Sequence, residues 1–116
     1  MKRDMDLVRK LLITSEQDGD TEELYNEYGN ELVAGHIAIL IDAGLVKGAV
    51  ACGSAGKPVA GEIIRLTWAG HEFLDNARND TVWNKVKEMI KEKSLSVSFE
   101  VMAALLKSLI TSSFGL

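Results

Sequence analysis

The segment Cys52-Gly53-Ser54-Ala55-Gly56-Lys57-Pro58-Val59-Ala60-Gly61 holds three of the chain's ten glycines and its only proline. It separates two strand-forming runs, residues 45–51 and 62–67, so a β-hairpin with a turn-rich tip is predicted here. A lone two-stranded hairpin is marginal in water and must lie on something else. Almost everything else in the chain carries helical periodicity, which makes helices the only support on offer.

Residues 4–17 read as a first helix, with Asp4 or Asp6 suited to its N-terminal turn and Met5, Val8, Leu11 and Leu12 on one face. Asp18-Gly19-Asp20 ends it. Residues 22–28 fit two readings: Leu24, Tyr25 and Tyr28 suit a short helix, while the alternation Leu24, Asn26, Tyr28 tips the balance towards a strand. Asn30 is suited to cap a helix whose Val33, Ile37, Leu40 and Ile41 form a core-facing stripe, and Gly44 supplies a left-handed end. After the hairpin, Thr67 can cap residues 68–77 and Asp80 can cap residues 81–93. Phe73, Leu74 and Ala77 face inward in the first of these, and Val82, Val86, Met89 and Ile90 in the second. Residues 98–110 form a last helix that is apolar nearly all round.

The order helix, short element, helix, hairpin, helix predicts an α+β, mostly helical fold of the winged-helix (winged helix-turn-helix-like) kind with a C-terminal helical extension. Residues 1–79 carry the winged-helix unit and residues 80–116 the extension packed on it, as one structural domain, in keeping with a length of 116 residues.

With a single cysteine, Cys52, no disulfide can form within the chain, which points to a reducing, cytoplasmic setting. Residues 1–6 lack the apolar core of a signal peptide. Residues 99–110, broken by Glu100 and Lys107, fall short of the ~20 needed to span a bilayer. A formal net charge of −4 argues against non-specific coating of nucleic acid, which depends on Lys and Arg neutralising phosphates.

Four blocks carry a resemblance: Met1-Lys2-Arg3-Asp4-Met5-Asp6-Leu7, Gly35-His36-Ile37-Ala38-Ile39-Leu40-Ile41-Asp42-Ala43-Gly44-Leu45, Leu66-Thr67-Trp68-Ala69-Gly70-His71-Glu72-Phe73-Leu74-Asp75 and Arg78-Asn79-Asp80-Thr81-Val82-Trp83-Asn84-Lys85-Val86-Lys87. Together they resemble a bacterial and prophage family known as domain of unknown function 2513. The family's own function is uncharacterised, so the resemblance implies a winged-helix-like fold and little chemistry; a regulatory role in a phage or mobile element is the expectation set beside it. The chain departs from that family's pattern at Gly35 and Ala38, where an aromatic residue and a lysine are usual. More loosely, the Ala-Gly-Leu turn followed by Leu-Thr-x-x-Gly is similar to many bacterial winged-helix regulators.

In such a fold the helix before the hairpin enters the DNA major groove. Opposite its core stripe this helix carries Glu31, Leu32, Gly35, Ile39 and Asp42, none of them basic. The face suits close packing of another helix instead. Candidate phosphate contacts therefore fall elsewhere: Lys47, Lys57 and Arg65 on the hairpin, and Lys2, Arg3, Arg9 and Lys10 near the start. Leu32, Gly35 and Ile39, with Leu105 and Leu109 of the last helix, are the candidate interaction face, and the all-round apolar last helix predicts a homodimer.

No catalytic residue, cofactor, metal site or small-molecule ligand is expected. His36, Cys52 and His71 are spaced 16 and 19 residues apart, unlike the close pairs of a zinc site. Both histidines are expected to be buried and hydrogen-bonded. Gly53-Ser54-Ala55-Gly56-Lys57 has a superficial phosphate-loop look, but Pro58 follows where a helix should begin. Trp68 and Trp83, early in successive helices, are expected to bury their rings; Glu72 and Asp75 read as surface acids. The expectation is a non-enzymatic regulator touching DNA with its hairpin and basic start, or a protein-binding module that uses the recognition-helix face.

Overall fold

Asp4 opens the first helix, α1 (Met5–Glu16), with its carboxylate accepting from the backbone N–H of Asp6 at 3.0 Å and of Leu7 at 3.2 Å. This satisfies donors that a helix start leaves without partners. Our structure, a computed structural model, describes residues 1–93 and 98–113. Among these it holds six helices and one two-stranded antiparallel sheet, a mostly helical α+β fold. Residues Met1–His71 form one compact unit and Glu72–Leu116 a second.

In the first unit, Leu7, Val8, Leu11 and Leu12 of α1 are buried. Residues 22–28 form a helix, α2 (Glu22–Tyr28), and not the strand their alternation favours. The Asp20 carboxylate accepts the Glu22 N–H at 2.9 Å, and Glu22 and Glu23 place negative charge at the positive end of the helix. Helical spacing also lets Leu24 enter the core while the Tyr25 hydroxyl donates to the Gly61 carbonyl at 2.8 Å and accepts the Gly61 N–H at 3.3 Å.

Gly29, at φ +88°, is the one-residue joint between α2 and α3 (Asn30–Asp42). Asn30 is the first helical residue and not the cap, because the sharp turn falls one residue earlier, at a backbone angle suited to glycine. Val33, Ile37 and Leu40 are buried as their spacing requires, while Ile41 is only half-buried. Gly44 ends the helix at φ +75°.

The hairpin, β1 (Val46–Cys52) with β2 (Pro58–Leu66), pairs Val46 with Leu66 and Ala51 with Ala60. Both strands run further towards the tip than the turn formers suggest, leaving only residues 53–57 as the turn, closed by Gly53 N–H to Lys57 O at 2.8 Å. Pro58 is tolerated because it stands first in its strand. An irregularity between Lys47 and Gly48 leaves Ile64 as an extra residue on β2, 70% exposed. A side chain at Gly61 would press on Val50 and Ile37, so β2 lies close on α3.

At the hairpin's base, Thr67 donates its N–H to Leu45 O at 3.0 Å and its hydroxyl to Gly44 O at 2.5 Å. The same hydroxyl accepts the Gly70 N–H at 3.1 Å, capping α4 (Trp68–Ala77) as expected.

In the second unit, Phe73, Leu74 and Ala77 are buried, and Phe73 meets the Phe99 ring with centroids 4.8 Å apart. The cap of α5 (Asp80–Glu92) is Asn79, whose side chain accepts the Val82 N–H at 3.0 Å; Asp80 is the first helical residue. Its buried stripe is Trp83, Val86 and Ile90, with Val82 and Met89 half-buried. In α6 (Phe99–Ser113), which packs on α5, Met102 and Leu106 are buried and Val101, Ala103, Leu105, Leu109 and Ile110 half-buried. The outward line is Glu100, Ala104, Lys107, Ser108 and Ser112, so the surface that would need a partner is narrower than the apolar sequence implies. Among the described residues no helix is long and apolar enough to cross a membrane.

A Cβ at Gly70 would collide with the Leu45 carbonyl oxygen, a backbone atom that cannot swing aside. Gly70→Ala is expected to lower the unfolding free energy by about 1–3 kcal/mol, read from the urea midpoint at unchanged slope.

Candidate interaction groove

His36 organises the outer side of α3 from within. It is fully buried, Nε2 accepts the Asp4 N–H at 2.8 Å, and Nδ1 lies 2.8 Å from the Leu32 carbonyl. A backbone N–H can only donate, so the ring hydrogen belongs on Nδ1 and points at Leu32 O. The histidine thereby fastens the segment before α1 to the flank of α3 and lays Met1 across that helix. The Met1 sulfur would stand 2.6 Å from a Cβ at Gly35, so the missing side chain is what admits it.

The result is an open groove of about 830 Å³. Leu32, Gly35, Ala38 and Ile39 of α3 form one wall, Pro58 and Lys57 the hairpin side, and Met1 crosses it, with Tyr28, Gly29, Asn30 and Glu31 at the start of α3. Leu32, Ala38 and Ile39 are half-buried and Gly35 is buried, while Glu31 and, further along α3, Asp42 are exposed.

Beside the groove, Lys10 of α1 reaches two residues of α2. Its ammonium lies 3.0 Å from the Tyr28 hydroxyl and 3.1 Å from the Glu27 carboxylate, and 5.2 Å from the Tyr28 ring centre. The bond to Tyr28, then that to Glu27, holds the Lys10 ammonium above its ordinary range. The Lys10 bond, followed by Tyr28, holds Glu27 below the usual carboxylate range.

The basic residues singled out from the sequence fall on several elements. Lys47 and Arg65 are cross-strand neighbours, both exposed, at the hairpin's base. Lys57 stands at its tip, separated from them by about 15–20 Å of strand. Lys2 and Arg3 are exposed in the segment before α1, Arg9 is half-buried, and Lys10 is engaged with α2. Of the expected interaction face, Leu32, Gly35 and Ile39 line the groove; Leu105 and Leu109 are half-buried on α6 in the second unit.

Two expectations about rings and one about a histidine divide. Trp83 is 1% exposed as expected, but Trp68 is 80% exposed, because α4 begins with its first residue outside the core. His71 is not buried: its side chain is 52% exposed and Nδ1 lies 4.0 Å from the Glu16 carboxylate. Cys52 is exposed at a strand end. Among the described residues no three His, Cys, Asp or Glu side chains are grouped to hold a metal. Met1 and Pro58 were invisible as groove residues in the sequence, since only tertiary contacts bring residues 1, 35 and 58 together; the unusual Gly35 was the one local signal.

Fold and site together define a mostly helical α+β protein whose hairpin lies on α1 and α3 and whose α3 bears an apolar groove. The chain belongs to the family described as Hypothetical protein (DUF2513), matched over residues 2–96. It is 36% identical over 117 residues to an uncharacterized protein of Haemophilus influenzae, covering 96% of this chain and 97% of that protein. No solved structure matches it.

Replacing His36 removes a buried side chain and the acceptor for Asp4. His36→Ala is expected to cost about 2–4 kcal/mol by urea unfolding. In a carbon-13 NMR titration Glu27 should release its proton at lower pH than an ordinary glutamate, and Lys10→Ala should return it towards the ordinary value. Because the folded value is the depressed one, this contact stabilises above the ordinary carboxylate range and is lost as pH falls through the folded value.

Proposed function

We infer that this chain is a non-enzymatic winged-helix protein with a regulatory role, and that it works by holding another protein on α3. The order α1, α2, α3, hairpin, with the tight Gly29 joint between α2 and α3, supports the winged-helix reading. The observation that carries the function is the apolar groove on the helix that would otherwise enter DNA. Its wall of Leu32, Gly35, Ala38 and Ile39 offers base edges no donors, and the exposed Glu31 and Asp42 repel phosphates. Exposed apolar concavities rimmed by polar residues are typical protein-binding surfaces. His36 is committed to two backbone groups, which leaves it no role in proton transfer.

The neighbouring Lys47 and Arg65 favour a second reading, in which the hairpin touches DNA phosphates. That contact would be sequence-independent and steeply salt-dependent.

Photocrosslinking in the cells that carry the gene separates the two. A photoreactive residue at Ile39 is expected to trap protein, and one at Lys47 to trap neither protein nor nucleic acid at physiological salt. Nucleic acid trapped from Ile39 overturns the reading.

A further inference from the structure

We propose that the occupant of the groove is an amphipathic helix of a partner protein, with an apolar face bounded at each end by a lysine or arginine. The proposal rests on the reading of α3 as a protein-binding surface and specifies what that surface selects.

Glu31, Gly35, Ala38 and Asp42 fall within about 60° of one another around α3, at about 100° per residue. They form one line with an acid at each end and the smallest side chains between. Leu32 and Ile39 stand beside that line, and the groove lies over it from Glu31 to Ala38, with Asp42 about one turn beyond its end. Both acids are exposed, and the line from one to the other is about 16 Å long, three turns of helix. A partner helix can descend onto Gly35 because what stands there is the flexible end of the Met1 side chain, in a residue 69% exposed.

Charge decides among occupants. Nucleic acid would bring phosphates to Glu31 and Asp42. A second copy pairing symmetrically through the same line would set Glu31 against Asp42 if antiparallel, or each acid against its own counterpart if parallel, and like charges meet either way. A helix with basic residues about three turns apart meets both acids favourably and leaves the apolar floor to its Leu or Ile side chains. Lys57, the single basic side chain among the described residues lining the groove, is on the hairpin side and does not interrupt that line.

The test is a display selection of helical peptides of about 18 residues, long enough to cover the three turns, against the whole chain. Three variants accompany it: Gly35→Leu, which adds bulk to the groove floor and whose Cβ meets only the end of Met1; the pair Glu31→Lys with Asp42→Lys; and the same acids changed to Gln. Circular dichroism confirms folding of each. Enriched peptides are expected to carry Lys or Arg at both ends of an apolar face. They should bind the wild type at least about tenfold more tightly than the doubly Lys-substituted chain, with the Gln pair between, and should lose binding to Gly35→Leu. Peptides lost on Gly35→Leu but neutral or acidic at their ends overturn the charge selection and leave the protein-binding reading standing. Peptides indifferent to Gly35→Leu, or no enrichment, overturn both. A dimer by light scattering that Gly35→Leu dissolves makes a second copy the occupant and overturns the proposal.

Discussion

The hydrogen bond from Thr67 N–H to the Leu45 carbonyl closes the base of the hairpin, and most of the first unit depends on it. It sets the two strands in register at the point where α3 ends and α4 begins. The Thr67 hydroxyl binds Gly44 O and takes the Gly70 N–H, so one threonine terminates the sheet, accepts a donor of the next helix and ties it to the end of α3. Gly70 is the steric counterpart of that bond, since any side chain there would push the Leu45 carbonyl away. With the base fixed, the hairpin can only extend along α3, and the tip arrives beside the start of that helix, where Pro58 and Lys57 wall the groove.

A second tie acts from the other side. His36 is buried not against apolar neighbours alone but between two backbone groups, one of them 32 residues away in sequence. An apolar residue of similar size would fill the same volume and leave the segment before α1 unanchored. The groove is thus formed by three stretches of chain, tied together by hydrogen bonds of His36 and Thr67 to backbone groups, two residues that do not line it. Such a surface changes its lining without disturbing the fold, which suits a recognition site.

The long elements were legible because periodicity and turn formers act locally. Val33, Ile37 and Leu40 announced the buried face of α3, and Gly44 its end, since both follow from helix geometry. Residues 22–28 were not legible: seven residues contain barely two helical turns, and Leu24 and Tyr28 satisfy either period. What decided for a helix was non-local, above all the Tyr25 hydroxyl reaching Gly61. Half of the groove could be read in the same way. Leu32, Gly35 and Ile39 stood out as an uncharged outer face, yet the residues that turn a face into a groove, Met1 and Pro58, come from the segment before α1 and the start of β2, which no spacing connects to α3. Trp68 failed for a related reason. A tryptophan at a helix start is usually drawn inward, but burial is set by which side of the first turn the neighbouring chain covers.

The Tyr25 hydroxyl has a further effect on β2. In an antiparallel pair the N–H and carbonyl of a residue point the same way, and at Gly61 both are taken by Tyr25, so they face away from β1. A two-stranded sheet has two open rims along which a foreign strand could add, and a residue without a side chain is the easiest place for one to begin. Here a phenol from α2 fills both positions at the middle of the rim. Any strand trying to extend the sheet from β2 would have to evict Tyr25, so tight docking of α2 also keeps this hairpin from polymerising with its own kind.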